Sequence, residues 1–186
     1  MKVCQSSYPS KFIMKRSFTL PLVVLLLVAA SCKKNQTSAN TACPYFQSSL
    51  VAPLSEQLAL KDSLTAHGIV ATKDSSGFYY TINQPGTGNA DTSLCTTVAA
   101  FYRGGFFNGN GFDSSATGNP LIFQLFQVIP AWQKAIPLIG KGGNMSLYVP
   151  PSLAYGSKDV QDPNTGKVVI PANSYLVFQL TVADIQ

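Results

Sequence analysis

The sequence predicts an α+β domain, with antiparallel strands interrupted by one short helix and a second helix ahead of them. Three observations predict it. Beyond residue 90 the chain is dominated by short segments of strand character, separated by Gly, Asn and Pro turns. Residues 130–136 are the one interruption there with helical character. Charged residues make up only 11 % of the chain and hydrophobic ones 46 %, which supports a packed core and argues against disorder.

The elements follow in order. Residues 1–31 read as an export leader. Met14-Lys15-Arg16 is its positive start, and Leu20 to Ala30 is apolar apart from Pro21. Ala29-Ala30-Ser31-Cys32 then supplies small residues ending in cysteine. An apolar run of about ten residues is too short to cross a hydrocarbon layer of ~30 Å as a helix. The pattern resembles a bacterial lipoprotein signal, which implies cleavage after Ser31 and a lipid on Cys32. Ala29 stands where leucine is usual in such signals. Residues 1–13 read as an upstream extension, with translation beginning at Met14. An uncleaved anchor and ordinary secretion are the alternatives. Residues 32–42, Cys32 and a run of small and polar residues, form a flexible tether.

The formal charge of +5 belongs to this leader. Four of the thirteen basic residues (Lys2, Lys11, Lys15, Arg16) precede Cys32 and no acidic one does, leaving nine basic against eight acidic. Without Lys33 and Lys34 the balance is seven against eight. A near-neutral domain argues against nucleic acid as a partner. With Cys4 and Cys32 set aside, Cys43 and Cys95 remain. In an exported chain such a pair is a disulfide candidate, with two free thiols as the alternative. Closing a loop of roughly 50 residues stabilises by ~4 kcal/mol in the chain-entropy model.

Residues 43–75 read as an N-terminal extension with a helix and a first strand. Pro53-Leu54-Ser55-Glu56 opens the helix, which runs to about Ala66 and stops at Gly68. Leu54, Leu58 and Leu64, with Leu60 or the stem of Lys61, give it an incomplete apolar face. Ile69 to Thr72 and Phe78 to Ile82 read as strands joined by a turn at Asp74-Ser75-Ser76-Gly77. Thr96 to Tyr102 alternates, placing Val98, Ala100 and Tyr102 on one face. Asn108-Gly109-Asn110-Gly111 is a hairpin turn. Ile122 to Phe126, Met145 to Val149 and Tyr175 to Val182 complete the strands, with Leu176, Phe178, Leu180 and Val182 sharing a face. Pro130 is a good first helical residue, and Pro137 ends or kinks the helix it starts.

Four segments carry the functional reading: Gly111-Phe112-Asp113-Ser114-Ser115, Val128-Ile129-Pro130-Ala131-Trp132, Pro150 to Gly156 with Leu153-Ala154-Tyr155, and Ile170-Pro171 through Phe178. In order and approximate spacing they resemble the pocket-lining segments of the FKBP (immunophilin) peptidyl-prolyl isomerases, over residues 76–186. The resemblance implies an antiparallel sheet curled over one short helix, with a proline ring entering the gap between them. It implies that Tyr102 and Phe112 are walls, Asp113 the polar residue beside them, and Trp132 the floor. Val128 and Ile129 edge the pocket, the Ile129 N–H facing a substrate carbonyl. Tyr155 is then a hydroxyl donor, while Ile170 and Phe178 close the wall. Tyr102, Phe112, Asp113, Ile129, Trp132, Tyr155 and Phe178 are the expected catalytic set. Val128, Phe123, Leu121 and Ile170 are the expected substrate contacts. The chain departs from the family at Leu121, where an aromatic is usual, and at Arg103, where a small polar residue is usual. The segment after Ser115 (Ala116-Thr117-Gly118-Asn119) lacks the basic residue that often partners the pocket aspartate, and the loop from Ser157 to Lys167 is longer and more polar.

Other chemistry is poorly supplied. His67 is the single histidine and sits at a helix end, too little for a catalytic triad or a zinc cluster. Gly140-Lys141-Gly142-Gly143 lacks the Lys-Ser/Thr pair of a phosphate loop and reads as a turn. The carboxylates are few and isolated, giving no acid/base pair for glycoside chemistry. No metal and no cofactor is expected. The expectation is a monomeric, lipid-anchored prolyl isomerase of the bacterial envelope, acting on proline-containing polypeptide clients during their folding. A non-catalytic proline-peptide-binding chaperone is the alternative, and a structural surface lipoprotein a more distant one.

Overall fold

A computed structural model describes residues 43–88 and 93–186 of the chain. The expected leader, the lipid site Cys32 and the tether up to residue 42 lie outside the described residues.

The elements are helix α1 (Leu54–Ala66), strands β1 (Thr72–Lys73), β2 (Tyr79–Gln84), β3 (Thr97–Phe106), β4 (Gly111–Ser114) and β5 (Leu121–Gln124), then helix α2 (Pro130–Ala135). Strands β6 (Asn144–Val149), β7 (Val160–Gln161), β8 (Val168–Ile170) and β9 (Leu176–Ile185) follow. Among the described residues, seven strands form one antiparallel sheet in the order β1-β2-β6-β9-β3-β4, with β5 also paired to β3. Strands β7 and β8 make a separate hairpin. The expected α+β architecture, a sheet over a short helix with another helix ahead of it, is the one observed.

The strand period of two sorts side chains between the sheet's faces. Met145, Leu147 and Val149 of β6 meet Leu176, Phe178, Leu180 and Val182 of β9 and Val98 and Ala100 of β3 on the inner face. Helix α2 covers them with Ala131, Trp132 and Ala135. It opens with Pro130 at its first turn and tightens into a 3-10 turn over Ile136–Leu138, where Pro137 prevents it from continuing as an α-helix. Tyr79, Tyr148 and Val177 point to the other face and pack on α1.

Helix α1 corrects the expected apolar face. Leu60 and Leu64 are the buried leucines, while Leu54 and Leu58 are 67 % and 52 % exposed. Positions 60 and 64 lie one turn apart on the stripe that meets the tyrosines, and Leu54 and Leu58 turn outward. The stretch 43–75 belongs to the same compact unit as the rest of the described chain. Other boundaries shift modestly. The first strand shrinks to Thr72–Lys73, Phe126 falls in a 3-10 turn (Leu125–Gln127), and the last strand continues to Ile185. The polar loop from Ser157 carries β7, paired to β8.

Cys43 and Cys95 form a disulfide. It fixes an extended segment whose Tyr45 stacks on Phe126, with ring centroids 3.9 Å apart, and whose Ala52 is buried in the inner core. In the turn before β6, an added Cβ at Gly140 would lie 2.3 Å from the Thr87 carbonyl oxygen. Only glycine lets these two backbones approach so closely.

Candidate functional site

The inner face is not completely filled. Between β3, β4, β5, β9 and the start of α2 lies a hollow of about 240 Å³. Its lining is Tyr102, Phe112, Asp113, Leu121, Gln127, Val128, Ile129, Trp132, Tyr155 and Phe178.

The strand register builds the aromatic wall. Gly104 of β3 faces Phe178 of β9 on one side and Asp113 of β4 on the other. A Cβ at Gly104 would sit 2.7 Å from the Phe112 ring and 2.9 Å from the Phe178 ring. Glycine there lets the two rings meet edge to face, centroids 5.8 Å apart at 87°. Trp132 comes from α2 and is 5 % exposed. It meets Phe178 at 5.3 Å and 84°, and Tyr102 at 5.3 Å and 74°. Edge-to-face packing suits the ring quadrupoles and holds the rings around a gap rather than collapsing them into a stack. The Trp132 indole N–H is buried without an acceptor among the described residues, a cost of about 1–3 kcal/mol that an ordinary core position avoids.

Polar groups are few and concentrated on one side. The Tyr102 hydroxyl donates to the Asp113 carboxylate at 2.5 Å. The other Asp113 oxygen accepts from the Ser114 backbone N–H at 2.8 Å, so the residue also serves its turn. Burial, then the bond to Asp113 and its charge, push the Tyr102 phenol far above the ordinary tyrosine value. Burial and the Asp113 charge raise Tyr155 as well. Both phenols are therefore hydroxyl donors throughout the neutral range. Tyr155 is 43 % exposed at the rim, after a 3-10 turn over Pro151–Leu153. Val128 and Ile129 precede α2 in extended backbone. Gln133 ties them to the helix by donating to the Val128 carbonyl at 2.9 Å.

The structure thus brings together nine of the residues singled out from the sequence: Tyr102, Phe112, Asp113, Leu121, Val128, Ile129, Trp132, Tyr155 and Phe178. Phe123 and Ile170 are not on the wall. Phe123 is buried behind Trp132, rings 5.7 Å apart; it shares the inner face of β5 with Leu121, but it pairs opposite Val98 deeper in the core while Leu121, opposite Ala100, reaches the hollow. Ile170 is 3 % exposed within the inner core, and its neighbours Val168 and Val169 are the exposed ones. Gln127 lines the hollow and was not expected. Its side chain accepts from the Gln124 N–H at 2.8 Å, and the three-residue spacing of the two glutamines, a capping-box pattern, is the signal that points to it. Among the described residues no His, Cys, Asp and Glu side chains gather as a metal site requires, and no helix is long and apolar enough to cross a membrane.

Comparison with known proteins gives a consistent picture. Residues 89–183 match the family model of the FKBP-type peptidyl-prolyl cis-trans isomerase. The chain is 37 % identical over 116 residues to the FKBP-type peptidyl-prolyl cis-trans isomerase FkpA of Buchnera aphidicola subsp. Schizaphis graminum, covering 62 % of this chain and 43 % of that protein. It is 39 % identical over 113 residues to FkpA of Escherichia coli, covering 60 % and 39 %. The chain therefore spans about two fifths of the length of these relatives. The crystal structure of FkpA from Escherichia coli superposes with a TM-score of 0.59 at 33 % identity, covering 71 % of this chain and 60 % of that one. That of a peptidyl-prolyl cis-trans isomerase from Pseudomonas syringae pv. tomato superposes at 0.58 and 25 % identity, covering 73 % and 97 %.

Proposed function

The chain belongs to the family of FKBP-type peptidyl-prolyl cis-trans isomerases, and on that premise we propose that it catalyses rotation about X-Pro bonds in polypeptide clients. The observation that carries the proposal is the aromatic hollow itself, with Trp132 beneath it and one hydrogen-bonded Tyr102–Asp113 pair at its side.

The reaction needs no nucleophile. The barrier to prolyl rotation, close to 20 kcal/mol, is the loss of amide resonance as the C–N bond twists. The planar amide is the more charge-separated form, so a slot of low polarity disfavours the starting state more than the twisted one. In this reading the proline ring rests on Trp132 between Tyr102, Phe112 and Phe178. The Ile129 N–H, which has no acceptor among the described residues, and the Tyr155 hydroxyl hold flanking carbonyls in the geometry of the twisted bond. Each ~1.4 kcal/mol of preference for that geometry accelerates rotation tenfold. Uncatalysed isomerisation takes ~10–100 s, long enough to limit the folding of a client. Asp113 orients Tyr102 and carries no proton in the step. The acting unit is a monomer, held to the bacterial envelope by a lipid on Cys32. That reading rests on the small-residue run ending at Cys32 and the positive, apolar leader before it.

A protease-coupled proline-peptide assay on the full chain in detergent tests the activity. The expected result is turnover that falls about tenfold or more in Tyr155→Phe and in Asp113→Val. Peptide binding without turnover would replace catalysis by a client-holding role. Growth with a labelled fatty acid tests the anchor, since label should enter the parent and be absent from Cys32→Ala.

A further inference from the structure

We propose that Glu56 of α1 is a positioning residue for Tyr155, so that the N-terminal helix, outside the stretch matched by the family model, controls one wall of the slot. The inference rests on the role given to Tyr155 above.

The segment that delivers Tyr155 starts with two prolines, Pro150 and Pro151, which have no N–H to offer. Ser152 is the first residue of the turn with a backbone donor. That donor does not bond within its own loop. It reaches 3.0 Å to a carboxylate oxygen of Glu56, 96 residues earlier in the chain. Three later donors are satisfied locally: Leu153 N–H to Pro150, and Ala154 and Gly156 N–H both to Pro151. Leu153 is fully buried in the inner core. Glu56 is therefore the side-chain anchor on the near side of Tyr155. On the far side the Gly156 carbonyl accepts from the Asn173 N–H at 2.9 Å.

The position of Glu56 on its helix makes the contact specific. Residues 56, 60 and 64 are successive turns of one stripe. Leu60 and Leu64 seat that stripe on Tyr79 and Tyr148, so the register of α1 against the sheet fixes where the carboxylate arrives. A half-buried carboxylate at the end of a leucine stripe needs a donor, and Ser152 supplies it. The same carboxylate lies close enough to Tyr175 to raise its phenol, after burial as the larger cause. A charge-assisted bond to a loop N–H holds the turn in one geometry, and Tyr155 sits three residues beyond it.

The test is a double-mutant cycle on the full chain in detergent, using Glu56→Ala and Glu56→Gln in the parent and in Tyr155→Phe. Assays run well below the melting temperature, with near-ultraviolet circular dichroism to establish that each variant is folded. The expected result is a loss of about tenfold in kcat/KM for Glu56→Ala. Glu56→Gln should stay within about threefold of the parent, because its amide oxygen still accepts from Ser152. In the Tyr155→Phe background Glu56→Ala should cost less than about twofold more. A folded Glu56→Ala protein with parental kcat/KM overturns the proposal, and so does an undiminished loss in the Tyr155→Phe background. If the parent itself shows no turnover, the catalytic reading fails on its own. The same cycle is then read in affinity for a proline peptide by Trp132 fluorescence, where absence of coupling between Glu56 and Tyr155 overturns the proposal.

Discussion

The two faces of the sheet are drawn from the same alternating strands, yet one keeps a hollow between its aromatic rings and the other packs its tyrosines under a helix. On the inner face the six residues of α2 cover only part of the surface, and Tyr102, Phe112, Trp132 and Phe178 meet edge to face around a hollow. On the outer face the thirteen residues of α1 lay Leu60 and Leu64 against Tyr79 and Tyr148. Aromatic side chains line both faces. The difference is what covers them: flexible leucines on a long helix fill the space between rings, whereas a short helix offering one indole leaves it open. The hollow comes from incomplete cover, with rigid rings preventing collapse.

That contrast can be broken or sharpened by substitution. The largest effect should come from the staple that ties the N-terminal segment to the inner side. Replacing Cys43 and Cys95 by alanine should remove ~4 kcal/mol, the chain-entropy value for a loop of this length. Calorimetry should then show the melting temperature falling by roughly 10–15 °C. On the outer face, Leu60→Ala should cost about 3 kcal/mol through the cavity it leaves, while kcat/KM measured well below melting falls no further than it does in Glu56→Ala, because α1 bears on the slot through that carboxylate. A loss of turnover larger than that of Glu56→Ala would mean that the outer face reaches the slot by a second route.

Gly104→Ala should do the reverse. Its added methyl would collide with the rings of Phe112 and Phe178, costing about 1–3 kcal/mol as overpacking. It would also displace a slot wall, so turnover should fall by about tenfold or more even where the protein is fully folded. Tyr102→Phe removes the phenol hydroxyl and its bond to Asp113, with an expected loss of about 1 kcal/mol by denaturant unfolding.

The smallest effect is at alkaline pH. Tyr102 and Tyr155 hold their protons more tightly in the fold than a free phenol does. Their contribution is complete below about pH 10 and declines as pH rises past that value. Stability measured from pH 8 to 11 should fall at the top of that range, and less steeply in Tyr102→Phe.

Much of this was legible from residue order, for identifiable reasons. Strand alternation at Val98, Ala100, Leu176, Phe178, Leu180 and Val182 survives into the fold because period two permits only one choice of face. The hairpin at residues 108–111 and the helix opened by Pro130 are set by local backbone preferences. The membership of the hollow could be read because its residues come from a few short, distinctive segments. Helix α1 was misread because two overlapping leucine stripes, 54 with 58 and 60 with 64, are equally apolar in sequence. Only the sheet's tyrosines choose between them. Phe123 and Ile170 look like wall residues by position, but Phe123 shares its strand face with Leu121 of the hollow, so alternation does not separate wall from core and only packing against Trp132 does. Gln127 could have been found from its capping-box spacing to Gln124, whereas Glu56 acts through a bond to Ser152, 96 residues away, that no local pattern reveals.

The order of strands in the sheet has a kinetic consequence. Tyr79 pairs with Tyr148, and Val98 with Ile185, so the central ladders join parts of the chain made far apart. Each such pairing requires closure of a long loop before any contact rewards it. Topologies of this kind assemble in milliseconds to seconds rather than microseconds. The last strand, β9, lies between β6 and β3, and until it is inserted neither neighbour has its full complement of partners. A chain still missing its C-terminal residues would therefore expose two open ladders at once, and completion of the sheet waits for the final stretch of sequence to arrive.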